Sequence, residues 1–194
     1  MKRSSKYISI LAFLFLCFSM LSAQHTVQNF TLSNGGKSFT LNDHKTKKAV
    51  VVVFTSSHCS YSRQYEQRLA TIAQKYHGQG VAFLAVNSND ASINEKDNEE
   101  YIRKAAPYPF PYLKDNDQSI AKMFKVTKNP EAFILKPGAS GFDVVYQGKV
   151  DDNPLDASMV KQRFLEDALN QLLNGQPIEP ATTTPSGCNI KWMQ

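Results

Sequence analysis

Two hydrophobic rhythms alternate along this chain. Ala49 to Phe54 is an unbroken apolar run, the pattern of a strand covered on both faces. From Tyr61 the spacing lengthens, and Tyr61, Tyr65, Leu69, Ile72, Ala73 and Tyr76 fall on one face of a helix. Gly78 and Gly80 end that helix, and Val81 to Val86 is a second continuous apolar run. Strand, helix and strand in this order make a crossover unit of right hand. Upstream, residues 27–32 and 37–41 are expected to pair as a hairpin around Asn34-Gly35-Gly36.

Downstream, the polar stretch Asn87 to Glu100 reads as a solvated loop and a helix start, with a helix near Asn98–Ala105. Three prolines within Pro107–Pro111 exclude regular structure and predict a stiff extended connector through Tyr112. Ser119–Phe124 is a short helix with Ile120, Met123 and Phe124 inward. Strands are expected at 131–135 and 143–150, antiparallel to each other. A last helix is expected from Asp156 to Leu173, carrying Val160, Phe164, Ala168, Leu169, Leu172 and Leu173 on one stripe. Asn174-Gly175 and Pro177 stop it, and a Thr/Pro-rich tail completes residues 176–194. Internal repeats are absent.

Chemistry concentrates at Phe54-Thr55-Ser56-Ser57-His58-Cys59, where the buried strand ends and the helix begins. Free backbone amides and the positive end of a helix favour an anion there, so a thiolate at Cys59 is stabilised. Ser56, three residues earlier, is placed to donate its hydroxyl to that sulfur. The alternative is an inert buried cysteine. His58 is adjacent, but neighbouring helical residues point about 100° apart, so it is expected to tune the local field or face solvent. His25, His44 and His77 are scattered without ligand spacing, and no metal or cofactor is called for.

Lys2, Arg3 and Lys6, then the apolar Ile8–Phe18, then Ser22-Ala23 follow the pattern of an export signal, expected to be cleaved after Ala23. The apolar stretch is short for a span of about 20 residues. Removing residues 1–23 leaves 19 basic against 17 acidic residues, with no basic cluster to hold nucleic acid. It also removes Cys17, so Cys59 and Cys188 remain. In an exported, oxidising compartment an even pair invites a disulfide. Residues 24–175 then form one domain and residues 176–194 a cysteine-bearing tail.

The order of elements describes an α/β thioredoxin-like fold, a central mixed sheet flanked by helices, with an N-terminal β-hairpin extension. Between Phe30 and Trp192 the chain resembles exported redoxins of the alkyl hydroperoxide reductase/thiol-specific antioxidant, or peroxiredoxin-like, family. The likeness rests on His58-Cys59-Ser60-Tyr61, Gln67-Arg68-Leu69, Val86–Asp90, Tyr108–Tyr112, Tyr146–Asp152 and Gly187–Trp192. It implies a cis bond at Asn129-Pro130, bringing backbone beside the reactive sulfur. Two departures limit it. Ser56 stands at the first position of the Cys-x-x-Cys pair used by thioredoxin-like oxidoreductases. Val52 and Ser60 stand where peroxiredoxins have prolines.

The resemblance implies an exported thiol-dependent oxidoreductase in which Cys59 is the nucleophile and Cys188 the resolving thiol. The expected substrate is a peroxide, whose attack by the Cys59 thiolate gives a sulfenic acid that condenses with Cys188 to a disulfide. Disulfide exchange on protein partners is the runner-up; the partner is an external, thioredoxin-like thiol donor. Arg63 and Lys149 are candidate cations beside the sulfur. Stable membrane insertion is not expected once the signal is removed. The competing reading is a redox-inert binding module with a permanent Cys59–Cys188 bridge.

Overall fold

Ten strands, four α-helices and three short 3-10 helices lie within residues 25–194, the part of the chain described by this computed structural model; the expected signal, residues 1–23, lies outside it. In order, the strands and α-helices are β1 (Thr26–Val27), β2 (Thr31–Asn34), β3 (Lys37–Thr40), β4 (Ala49–Phe54), α1 (Ser60–His77), β5 (Val81–Asn87) and α2 (Glu99–Ala105). There follow β6 (Tyr112–Lys114), α3 (Ser119–Phe124), β7 (Lys128–Asn129), β8 (Glu131–Pro137), β9 (Phe142–Gly148), α4 (Phe164–Leu173) and β10 (Cys188–Asn189).

Six strands form the central sheet in the order β1-β9-β8-β4-β5-β6. β4 pairs in parallel with β5, and β5 with β6, whereas β8 and β9 run antiparallel. All six residues of β4 are buried, which explains its unbroken apolar run. Alternation sends Val51 and Val53 to one face, against Tyr65, Leu69, Ile72 and Tyr76 of α1 and Leu165 and Leu169 of α4. Val50, Val52 and Phe54 go to the other, against Ile120 and Phe124 of α3, and Phe30 and Leu41. This is the mixed α/β sheet expected from the sequence, and the β4-α1-β5 unit stands as read.

Several boundaries differ. The hairpin is confined to 31–34 and 37–40, and Thr26-Val27 instead joins the edge of the main sheet beside Phe142 and Asp143. The proline connector ends in a strand, because Tyr112–Lys114 pairs with the end of β5. The last helix begins at Phe164 rather than Asp156. Before it, side chains capture the backbone: Asp152 accepts the Lys161 N–H, and Asp156 accepts the Ser158 N–H. Arg68 donates to the carbonyls of Asn153 and Pro154, fixing the loop. Among the described residues, no helix is long and apolar enough to cross a membrane.

Candidate active site

β4 hands the chain to α1 through a single tight turn. Thr55 continues the parallel ladder through its N–H to the Val86 carbonyl, 2.9 Å. Cys59 then occupies the capping position of α1 in an extended conformation, and its carbonyl accepts the Arg63 N–H at 3.1 Å. No acidic residue stands in the first turn. The unpaired amides of that turn, and the positive end of an 18-residue helix, therefore face the cap without a competing carboxylate.

The Cys59 sulfur is bonded to that of Cys188, with the two Cα atoms 6.0 Å apart. Cys59 is only 3% exposed, while Cys188 is partly exposed. The Asn129-Pro130 peptide is cis, as the resemblance implied, and the Asn129 carbonyl lies 3.3 Å from the Cys59 sulfur. A disulfide sulfur has no proton to donate, so this is a contact and not a hydrogen bond. Glu131, fully buried next to Pro130, accepts N–H groups of Thr127 and Lys128 and the Gln147 amide, and so holds the loop.

Beneath the turn lies a buried polar hub. The Ser56 hydroxyl donates to Asp97 Oδ1 at 2.9 Å and accepts the N–H groups of Cys59 and His58 and the amide of Asn89. Its proton therefore goes to Asp97, which corrects the expectation that it is aimed at the sulfur. Asp97 also accepts from the amides of Asn87, 2.8 Å, and Asn89, 3.0 Å. Asn89 accepts in turn from the Asn129 amide and from the Lys191 N–H of the tail. Lys114 is buried and its ammonium donates to the Asn89 carbonyl; burial pushes its pKa below the ordinary lysine value.

The tail is docked along its length. Thr183 donates its N–H to the Gln147 carbonyl, and Gln147 its own to Ala181. Gly148 and Gly187 make close approaches possible: a Cβ on either would sit about 2 Å from a backbone carbonyl, of Thr183 and of Asn129 respectively. β10 pairs antiparallel with β7, placing Cys188 opposite Asn129. Ile190 is buried in the core beside α3.

The structure thus gathers Ser56, Cys59, Pro130 and Cys188 in one place. It does not gather the expected cations. Arg63 is exposed on α1. Lys149 engages through its backbone, donating to Thr183 Oγ1 and accepting from Tyr146. His58 is exposed. The side-chain roles of Asp97, Asn89, Lys114, Asn129 and Gln118 escaped the sequence reading. Asn87-Ser88-Asn89, three polar residues directly following a buried strand, were the available signal, since all three are buried. Among the described residues no three His, Cys, Asp or Glu side chains are set to hold a metal ion.

A family model described as AhpC/TSA matches residues 23–144. The chain belongs to the AhpC/TSA family. Curated proteins yield no match. Among solved structures, a hypothetical protein of Sinorhizobium meliloti is 34% identical, with a TM-score of 0.79, covering 88% of this chain and 94% of its own. An uncharacterized conserved protein of Geobacillus kaustophilus is also 34% identical at a TM-score of 0.79, covering 90% of this chain and 94% of its own. A protein of Chlorobium tepidum described as the thiol:disulfide interchange protein DsbE shares the fold at 22% identity and a TM-score of 0.56, over 78% of this chain and 95% of its own. This AhpC/TSA chain therefore has a thioredoxin-like fold, shared with a structure named for thiol:disulfide interchange.

Proposed function

We propose that this AhpC/TSA protein is an exported thiol-disulfide oxidoreductase in which Cys59 and Cys188 form the redox couple. The observation that carries the reading is the bond between these sulfurs at the leading end of α1, beside the cis Asn129-Pro130 loop. The thiolate of an external donor attacks the sulfur of Cys188, the partly exposed residue of the pair. The Cys59–Cys188 bond breaks, and Cys59 leaves as a thiolate toward the helix amides. A second donor thiolate then releases Cys188 and departs as the donor disulfide, having delivered two electrons.

In the oxidising half, the Cys59 thiolate attacks a substrate disulfide. It bonds to one substrate sulfur and expels the other, which takes up a proton. Cys188 attacks the Cys59 sulfur, restores the intramolecular bond and frees the reduced substrate. This chemistry needs only sulfurs in line and a stabilised Cys59 thiolate. It does not need the hydroxyl donor that Ser56 commits to Asp97. The disulfide-interchange name of the Chlorobium relative agrees in kind.

Family membership favours a second reading, peroxide reduction. The Cys59 thiolate would attack the terminal peroxide oxygen, expelling the other oxygen as an alcohol or water once protonated. Cys188 would then displace water from the resulting sulfenic acid to form the same disulfide. Export is supported by the basic and apolar pattern of residues 2–23 and by an oxidised pair.

A redox titration combined with stopped-flow kinetics tests these readings. Equilibration within the range of cellular thiol couples, and rapid disulfide reduction by the reduced protein, is the expected result. A potential below about −300 mV would mark the bridge as structural. Peroxide reacting faster than disulfides would select the second reading.

A further inference from the structure

Residues 187–193 lie in a groove that treats them as a bound peptide. Both main-chain groups of Lys191 are clamped: its N–H donates to Asn89 Oδ1 at 3.0 Å, and its carbonyl accepts from the Asp90 N–H and the Gln118 amide, each at 2.8 Å. The same Gln118 side chain accepts the Met193 N–H at 2.9 Å. Gln118 is 1% exposed and Asn89 2%, and Gln118 sits at φ +60°, so both readers are fixed parts of the body. A polar side chain buried this deeply and spent on another segment's peptide groups works as an artificial strand edge.

What the groove reads follows from what it touches. The side chains of Lys191 and Trp192 are exposed, so these positions are read through backbone alone or not at all, whereas the exposed Asn189 side chain accepts from the Lys128 ammonium at 2.5 Å. Ile190 is buried, so an aliphatic residue is required two places after the cysteine. Gly187 lies at φ +154°, where a Cβ would stand 2.1 Å from the Asn129 carbonyl oxygen, so glycine is required just before it.

We propose that this groove is a peptide-binding site, with the tail as its tethered resident. The occupant it admits once Cys188 is released is an extended Gly-Cys-x-aliphatic segment of a partner protein. The proposal rests on Cys59 being the exchanging sulfur for its covalent step. There, Cys59 attacks the partner cysteine's disulfide and forms a mixed disulfide, and the partner's other sulfur leaves as a thiolate. The returning Cys188 then attacks Cys59 and expels the bound segment as a thiol. The tail is thus both resolving thiol and competitor, and a partner dwells on Cys59 only while the tail is out.

The test uses the full chain carrying Cys188→Ser and Ile190→Asp, which empties the groove. The probe is a fluorescent peptide of residues 186–194 with serine replacing its cysteine, followed by anisotropy. Binding at least tenfold tighter than to the Cys188→Ser chain, lost when the peptide's isoleucine becomes aspartate or its glycine alanine, is expected. Adding Gln118→Ala to the receiving chain should weaken binding at least tenfold. Equal affinity for the native and aspartate peptides would overturn the proposal.

Should the double variant not fold, Cys188→Ser with Gly187→Ala opens the same groove and is read in the same way. Disulfide-linked dimers of the wild-type chain without peptide capture would give the groove to a second copy and overturn the partner assignment. Reaction of the reduced chain with a small aromatic disulfide is measured alongside. Its failure with peptide binding intact would remove the redox reading and leave the groove standing.

Discussion

Replacing Cys188 with serine isolates the thermodynamic role of the bridge from that of the docked tail. The Cys59–Cys188 bond spans 129 positions. In the chain-entropy model a loop of that length constrains the unfolded chain by about 5 kcal/mol. The remaining tail contacts survive the change, because the β10–β7 ladder, the Asn89 and Gln118 clamp and the burial of Ile190 need no sulfur. The Cys188→Ser chain should therefore lose about 5 kcal/mol against the oxidised protein. Reduced wild type should match it to within about 1 kcal/mol.

Domains of this kind have about 5–15 kcal/mol in total, so the variant folds with a much smaller margin. Adding Ile190→Ala should remove a further 2–4 kcal/mol or so, since its side chain is buried in the core. Urea unfolding followed by circular dichroism measures all four species. The oxidised form should also show a shallower denaturant dependence, because its cross-linked unfolded state stays more compact. Coincident transitions for oxidised and Cys188→Ser protein would refute the reasoning. They would mean that strain in the native state offsets the loop term.

Other outcomes follow from single contacts. Gly187→Ala puts a Cβ into the Asn129 carbonyl, so it should lift β10 from β7, destabilise by about 2 kcal/mol and ease reduction of the bridge, measured by redox titration. Asp97→Ala leaves the Ser56 hydroxyl and the Asn87 and Asn89 amides without their acceptor in a dry site; a loss of at least about 3 kcal/mol is expected in urea unfolding, with faster alkylation of Cys59 in the reduced chain as the turn loosens. Burial lowers the pKa of His44 below its ordinary 6.5. The unfolded chain therefore binds the proton first, and stability should fall as pH drops from 6.5 toward the folded-state value. His44→Gln should flatten that slope in pH-dependent melting.

The frame was written in the apolar pattern. The buried run Ala49–Phe54 and the 3.6-residue period from Tyr61 follow from burial on two faces and on one, so the strand-helix-strand unit was legible without coordinates. The same break in rhythm put Cys59 at the helix start. The surroundings of that sulfur came from the folded chain alone. Asp97 lies 38 positions from Cys59 in a stretch whose composition matches solvated loop, and it is buried where Ser56, Asn87 and Asn89 converge on it. The Ser56 proton could not be assigned while Asp97 was unplaced.

Periodicity likewise extended the last helix to Asp156, since a hydrophobic stripe says nothing of an Arg68 guanidinium 83 positions away at Asp151 and two further carbonyls. The tail shows the limit most plainly. Its prolines and threonines indicate no regular structure. Yet its peptide groups are held by Asn89, Asp90 and Gln118, more than 70 positions earlier in the chain. Local patterns record how each segment meets an apolar core. Polar networks record which distant segments meet each other, and that information exists only once the sheet has brought them together.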